Sequence, residues 1–468
     1  MTAVRARWVT LAAIAGLLAA AAIARWIWAV ALSGPVLYGE GAVAHAALLS
    51  RDGLEYASGA ALAEGPLRPI FTAANYPPLY FRIAALGDPF VAGRIASIAA
   101  AALVAGAIAW RARRGGALVA FALAAAWVAT VPVTVWGAAV KPDMLALALT
   151  VATVLSLGAS PGRGLAGGIL MGAALWAKPT AALPAVALAV WSVRRGPGAG
   201  SGYLAGVLVG VIASSLALMG PSFPLAGGKA FWLHVVTWNA LPWDAGQVGL
   251  LVLAGVVAMG AIVAIGGVAA HGPPAAYLAG AIGIVVLGGR EGATINYLLD
   301  LSAAAALALS GAAPRLGRSA FVPFAFAAQL AVGALVLDPF GIVPGGGART
   351  GAWGDPARID AVRALPDGPA LVEDSGLLLA AGREPIVDDL FLWSRLRASG
   401  ASFNEGDRLV AAVEQGRFVA VVSEADLSRL DVAPAYERAR WHPDLVRAIL
   451  DRYVLDRTIA SQWIYRPR

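Results

Sequence analysis

The sequence contains no cysteine and only four histidines among its 468 residues. Without cysteine there are no disulfide bonds, no thiol nucleophile and no cysteine-ligated metal, and the four scattered histidines form no visible metal-binding motif. Charged residues are also scarce, at 13% of the chain, where a soluble domain carries about 25%. No acidic residue occurs before Glu40. These absences exclude a disulfide-stapled domain and an ordinary soluble enzyme.

The chain instead consists mainly of apolar sequence, with 59% hydrophobic residues and a mean hydropathy of +0.73. Long apolar segments recur, and about 20 such residues suffice to cross a hydrocarbon core as a helix. We therefore predict an all-α polytopic membrane protein with about eleven transmembrane helices. The predicted spans begin at Trp8 and continue at 89–110, 117–136, 143–159, 164–177, 180–193, 203–220, 247–268, 274–288, 297–312 and 319–337.

The charges around these spans predict their orientation. Arg5 and Arg7 precede the first span as in a signal peptide, but the apolar run continues through "RWIWAVAL" without a small-residue cleavage site, so we predict a retained helix. Every second loop lacks Asp and Glu, and most of these loops carry arginine. The positive-inside rule places them and the N-terminus in the cytoplasm. The acidic loops, including the one that carries Glu40, then share the outer face.

The composition changes near residue 345 to that of a soluble domain. "GPALVEDSG" and "GRFVAVVSE" are typical of short buried strands, and "WSRLRASG" and "PDLVRAILDRY" have helical patterns. We predict a transmembrane domain over residues 1–340, which includes an outer loop at 33–88, and a small α/β domain over 345–468. An odd number of spans places this second domain outside the cytoplasm.

Ionisable and polar groups gather in the loops of the predicted outer face, in "YGEG", "NYPPLYFR", "VKPD", "WAKPT" and "GREGATINY". Groups of this kind at membrane depth are costly and usually functional. The candidate site residues are Glu40, Tyr76, Arg82, Lys141, Asp143, Lys178, Arg290, Glu291, Asn296 and Tyr297.

Each of these residues also has a purely structural interpretation. Lys178 or Arg82 alone can be an interface anchor whose stem lies in the membrane. Asp143 can offset the dipole of the helix that it begins, and Glu40 can cap the helix near residue 42. Singly these interpretations stay open. Together they explain less well why all three lysines of the chain, the third being Lys229, lie in loops of one face.

Several cations beside isolated carboxylates at a membrane edge suit a sugar linked to a lipid phosphate. Cleavage of its glycosidic bond leaves charge on the phosphate, and fixed cations stabilise that charge. The attacking hydroxyl needs a carboxylate to accept its proton, and one base suffices for direct displacement with inversion. We predict Glu40 as this base, Lys141 and Lys178 as phosphate ligands, and Asp143 as the residue that orients the sugar or a lysine. Arg82 and Arg290 are further candidate phosphate ligands.

The order of "YGEG", "NYPPLYF", "DPFVAGRIAS", "VKPDMLALAL", "WAKPTAALPAVAL" and "GREGATINYLLDL" resembles that of bacterial GT-C glycosyltransferases. Within these, residues 1–340 look most like the glycosyltransferase 39 or dolichyl-phosphate-mannose-protein mannosyltransferase-like group. The resemblance implies a bacterial inner-membrane enzyme that uses a polyprenyl-phosphate sugar, with Glu40 as base. Many relatives carry an acid directly before the base, at the position that is Gly39 here. A divalent metal at this place is therefore possible in the family but is not supported by this sequence.

The resemblance implies as partners a polyprenyl-phosphate-linked sugar, membrane lipids and an acceptor that is a glycan, a lipid or a protein. The pI of 9.9 does not indicate nucleic acid, because the arginines lie in the short loops that membrane topology requires. The alternative is a flippase or transporter of lipid-linked glycans. A transporter favours ionisable groups at mid-membrane and access from both faces, whereas the acids of this chain lie at one face.

Overall fold

The computed structural model describes residues 2–57, 70–221, 223, 228–340, 355–400 and 404–468. Helices dominate the first 340 residues. They are α1 (Thr2–Val30), α2 (Glu40–Ser50), α3 (Leu79–Ala84), α4 (Pro89–Ala112), α5 (Ala117–Val128), α6 (Val131–Trp136), α7 (Asp143–Ser156), α8 (Pro161–Ala177), α9 (Ala182–Arg195), α10 (Pro197–Met219), α11 (Gly228–Trp232), α12 (Ala245–Ala269), α13 (Pro273–Leu287), α14 (Leu299–Leu316) and α15 (Phe321–Leu337).

Each of the eleven predicted apolar segments coincides with helix in the structure. The third one, at 117–136, is broken into α5 and α6, because Pro132 has no N–H to continue the hydrogen-bond ladder and therefore sits in the first turn of a new helix. Among the described residues, five helices are long and apolar enough to cross a membrane, and four shorter ones are also apolar. The polytopic helical fold is confirmed, whereas the number of helices that cross stays a prediction.

Helices α8 and α10 pack closely through glycines spaced four residues apart. A side chain added at Gly168, Gly172 or Gly206 would overlap the backbone of the facing helix. Small residues let membrane helices approach until their backbones are in contact. The resulting van der Waals contacts hold the helices together, because the hydrophobic effect does not drive association in apolar lipid. These glycines therefore set the distance between two neighbouring helices of the bundle.

Residues 355–400 and 404–468 form a small α/β unit around a four-stranded sheet, as expected of the C-terminal domain. Its elements are α16 (Pro356–Arg363), β1 (Ala370–Val372), α17 (Ser375–Ala380), α18 (Leu390–Ala398), α19 (Asn404–Glu414), β2 (Ala420–Ser423), α20 (Ala435–Arg438), α21 (Pro443–Arg452), β3 (Tyr453–Ile459) and β4 (Gln462–Pro467). The strand order is β1-β2-β4-β3, with β1 parallel to β2 and the other pairs antiparallel. The two predicted strands are β1 and β2, whereas the β3–β4 hairpin was not predicted. The predicted boundary at residue 345 lies outside the described residues.

The C-terminal unit is docked on the segment 33–88 that follows α1, the predicted first outer loop. The backbone of Phe71 accepts a hydrogen bond from the N–H of Asp388 at 3.2 Å, and the side chain of Asp388 lies 3.1 Å from that of His45 in α2. Gly41 of α2 lies so close to the backbone of Gly376 in α17 that a side chain would not fit. We call the end of the helix bundle that carries this unit the domain face.

Candidate active site

A cavity of about 430 Å³ lies at the domain face, between the ends of the bundle helices and the C-terminal unit. Its main polar and aromatic lining residues are Tyr38, Asn75, Tyr76, Trp136, Lys141, Lys178, Asn239, Arg290, Glu291, Asn296, Tyr297, Asp389, Phe391 and Tyr436. Segments that are far apart in the sequence therefore meet here. Seven of the ten predicted site residues are among them, and the other three, Glu40, Arg82 and Asp143, are not.

A cluster of hydrogen-bonded polar and charged side chains lies where α7 begins, α8 ends and α14 begins. Lys178, directly after α8, donates to Asp143 Oδ1 at 2.6 Å, and Asn296 Nδ2 donates to the same oxygen at 2.8 Å. The ammonium of Lys178 also lies 5.1 Å from the ring centre of Tyr297. Asp143 Oδ2 is buried and has no hydrogen-bond partner among the described residues. Asp143 thus holds Lys178 at the cavity wall from behind, whereas its role in catalysis stays a prediction.

Lys141 and Arg290 are cations whose hydrogen bonds go to uncharged oxygen atoms. The ammonium of Lys141 donates to the carbonyl oxygen of Gly39 at 2.6 Å, and Arg290 donates to Asn239 and to the hydroxyl of Tyr297 at 2.9–3.1 Å. Within the described chain, neither cation has a carboxylate at ion-pair distance. Their charges are therefore available to an anion in the cavity.

Gly39 suits its position for two reasons. Its φ of +78° lies in the left-handed region that favours glycine, and a Cβ atom there would come within 3.0 Å of Lys141 Nζ. Any side chain at this position would therefore adopt a strained backbone conformation, and the flexible end of Lys141 would have to shift.

Glu40 lies behind the cavity wall, where it is fully buried. Its Oε2 accepts hydrogen bonds from Val36 N at 2.8 Å and from Arg94 at 3.1 Å, and its Oε1 accepts one from Val140 N at 2.8 Å. Arg94 also donates to three carbonyls at the end of α1 and just after it, those of Ala29, Leu32 and Gly34. This geometry makes Glu40 the anchor of the backbone next to Lys141. Its predicted role as catalytic base stays a prediction that these contacts do not support.

Arg82 also lies outside the cavity. Its guanidinium pairs with the buried carboxylate of Glu55 at 3.0 Å and donates to the carbonyl of Ser50. Phosphate binding by Arg82 therefore has no geometric support, since its guanidinium lies outside the cavity and Nη1 and Nη2 already donate to Ser50, Glu55 and Leu218. Glu291, by contrast, reaches the cavity but pairs with Arg395 of α18 at 2.8 Å.

Sequence reasoning missed the contribution of the C-terminal unit to this cavity. Asp389, Phe391 and Tyr436 line it, and Arg440 stacks on the ring of Tyr38 at 4.0 Å. The only local signal was the acid pair in "VDDLFLW", directly before a predicted helix. Nothing in that pattern indicates that one of its two carboxylates faces a membrane domain.

Metal ligation also needs several donors in one place. The described segments contain no group of three or more His, Asp or Glu side chains arranged to hold a metal ion. The suggestion of a divalent metal therefore stays without structural support.

The helix bundle, the α/β unit and the cavity between them define a polytopic membrane protein with a capped site at one face. Its fold is GT-C-like, as the sequence resemblance implied. The chain is similar to ArnT from Cupriavidus metallidurans in the apo state, with a TM-score of 0.57 and 16% identity over 96% of this chain and 97% of that one. It is also similar to the same ArnT bound to undecaprenyl phosphate, with a TM-score of 0.54, 15% identity and the same coverage.

No protein-family model and no curated protein matches the sequence. The likeness to ArnT at this identity shows the fold alone. The fold that the resemblance implied is thus confirmed, whereas membership of the GT-C glycosyltransferases and of the narrower mannosyltransferase-like group stays a prediction.

Proposed function

We propose that the protein is a membrane glycosyltransferase that moves a sugar from a polyprenyl phosphate to a hydroxyl group of an acceptor. The observation that carries this proposal is the cavity at the domain face, which three cations and several tyrosines line. The apolar helices below it suit a polyprenyl tail, and a similar fold is found in ArnT bound to undecaprenyl phosphate. The acceptor is a glycan, a lipid or a protein.

The cations act on the leaving group. Lys141 and Arg290 hold the phosphate, and Lys178, fixed by Asp143, adds a third positive charge at the wall. As the bond between the anomeric carbon and the phosphate oxygen breaks, negative charge grows on the phosphate. Preorganised cations in a water-poor site stabilise that charge without having to reorganise. Direct attack by the acceptor hydroxyl inverts the anomeric centre.

The proposal also includes location and orientation. The arginine-rich loops lie in the cytoplasm of a bacterium and the domain face lies outside the inner membrane, so the acceptor reaches the cavity from the outer side. The donor reaches it laterally from the outer leaflet. No nucleotide sugar is needed at this face.

Replacing Lys141 by methionine is expected to weaken the binding of undecaprenyl phosphate about 10- to 150-fold, because a hydrogen bond to a charged group contributes about 1.5–3 kcal/mol. Methionine keeps the length of the apolar stem and removes the charge. The dissociation constant is measured by titrating undecaprenyl phosphate into the purified protein in detergent micelles. The same experiment shows whether the unaltered protein binds this lipid at all.

The matched control is Lys229→Met, which removes an exposed lysine outside the cavity. It is expected to bind undecaprenyl phosphate as the unaltered protein does. Equal affinity in the Lys141 variant and this control would contradict the assignment of Lys141 to the phosphate. Failure of the unaltered protein to bind the lipid would contradict the proposed function itself.

A further inference from the structure

We propose that Asp389, which the C-terminal unit places in the cavity, is the catalytic base that accepts the proton of the acceptor hydroxyl. This inference rests on the proposed function. It assigns a chemical role to a domain that would otherwise only cover the bundle, and it names a carboxylate that no sequence pattern singles out.

The other carboxylates near the cavity are each paired with a cation. In the described part of the chain only two acids line it, Asp389 and Glu291, and Glu291 forms an ion pair with Arg395 at 2.8 Å. Asp143 is bound to Lys178 behind the wall, and Glu40 is fully buried with Arg94 and two backbone N–H groups. Asp389 is therefore the carboxylate with a surface in the cavity and no ion pair of its own among the described residues.

The backbone around Asp389 is held on both sides. Asp389 is the N-cap of α18, where one of its oxygens accepts the N–H of Leu392 at 2.9 Å. Its neighbour Asp388 is anchored by His45 at 3.1 Å and by the N–H of Ala73 at 2.9 Å. One oxygen of Asp389 is thus used for positioning, and the other remains for the acceptor. A base fixed in this way is preorganised for proton transfer.

The surroundings of Asp389 also suit a base. Burial raises the pKa of Asp389 to about 6, although the hydrogen bond from Leu392 N–H lowers it; the charge of Asp388 raises it further, and Lys141 and Arg440 oppose the rise. A general base is most effective when its pKa lies near the working pH. The titratable and charged groups that face Asp389 from the packed segments are Tyr38, Tyr76, Lys141, Asp388, Tyr436 and Arg440.

The reaction step balances as follows. The acceptor oxygen forms a bond to the anomeric carbon, and the bond from that carbon to the phosphate oxygen breaks. The electron pair of the broken bond stays on the phosphate, which leaves as polyprenyl phosphate beside Lys141 and Arg290. The proton of the acceptor hydroxyl moves to the carboxylate of Asp389 and from there to solvent.

The test compares Asp389→Asn with the unaltered protein. Asparagine is as good an N-cap as aspartate, so α18 keeps its start while the proton acceptor is lost. We expect kcat for transfer from undecaprenyl-phosphate-linked hexoses and pentoses to envelope lipids and glycans to fall at least about 100-fold. Binding of undecaprenyl phosphate stays equal or becomes tighter, because a negative charge near the phosphate is removed.

The pH profile gives a second measurement that a structural role would not change. In the unaltered protein, kcat/KM is expected to rise with pH through an apparent pKa of about 6, since the base works only when deprotonated. The residual activity of Asp389→Asn is expected to lack this rise. Asp426→Asn, which changes another N-cap aspartate of the same domain outside the cavity, is the control and keeps both rate and profile.

The outcomes separate the two proposals. If the unaltered protein transfers sugar and Asp389→Asn keeps more than about a third of its rate with the same pH profile, Asp389 is not the base. If the unaltered protein neither binds undecaprenyl phosphate nor transfers sugar from any donor of the panel, the proposed function fails and the assignment of the base fails with it. Loss of rate with intact lipid binding supports both.

Discussion

Replacing Lys178 by methionine is expected to lower the free energy of unfolding by about 3–5 kcal/mol, because it leaves Asp143 as a buried charge without its partner. The two side chains are only 7% and 2% exposed, and their atoms lie 2.6 Å apart. Asn296 alone cannot compensate a full negative charge in this position. The measurement is equilibrium unfolding of the purified protein in detergent micelles.

The double variant Lys178→Met with Asp143→Asn shows whether the pair is the cause. Asparagine is neutral and can still accept the hydrogen bond from Asn296, so most of the lost stability is expected to return. A double-mutant cycle then gives a coupling free energy of about 2 kcal/mol or more, within the range of residues in direct contact. Strictly additive effects of the two substitutions would contradict the ion pair that the structure shows.

Replacing Glu40 by glutamine is expected to have an effect of similar size, about 3–5 kcal/mol, because Arg94 then keeps a buried charge without a counter-ion. Both side chains are fully buried. One of the N–H donors of Val36 and Val140 is also expected to face the amide nitrogen, which cannot accept. The stability of the variant is compared with that of Glu384→Gln, which changes an exposed glutamate.

The same variant decides between two roles for Glu40. If it unfolds earlier but still transfers sugar at a temperature where it is folded, Glu40 is the anchor that its contacts indicate. If it is as stable as the unaltered protein and transfers no sugar, then Glu40 is the base that the sequence predicted, and the anchor role is wrong. Glu40 also accepts a hydrogen bond from the N–H of Val140, the residue before Lys141. Loss of this bond is expected to position Lys141 less well and to raise KM for the donor.

Much of the helical fold could be predicted because its cause is local. An apolar segment of sufficient length forms a helix whatever its neighbours are, since lipid leaves backbone groups no other partner. That argument located eleven segments that are helical in the structure, but not the short helices α3 and α11; short buried runs that end in turns located β1 and β2. The β3–β4 hairpin escaped because "YVLDRTIASQWIYR" is rich in charge, and five of the seven residues of β3 are exposed.

The candidate site was only partly predictable. Lys141, Lys178 and Arg290 could be found because they lie in the loops of the predicted outer face, close in sequence to acids or aromatic residues, and all three line the cavity. Arg82 looked equivalent, but its guanidinium pairs with Glu55, whose position next to it no pattern indicated. The sequence gives the sign of each charge, but it does not show which residue each charge pairs with.

The sequence by itself determined the class of fold, the helical segments and the set of charged residues from which a site can be built. Only the tertiary structure decided which carboxylate faces the cavity. Glu40 pairs with Arg94, which lies 54 residues further along the chain. Asp389 belongs to the C-terminal unit, which follows the whole bundle in the sequence and packs against the cavity. The physical reason is that burial and pairing of a charge depend on contacts between distant segments, which form only when the helices and the C-terminal unit pack together.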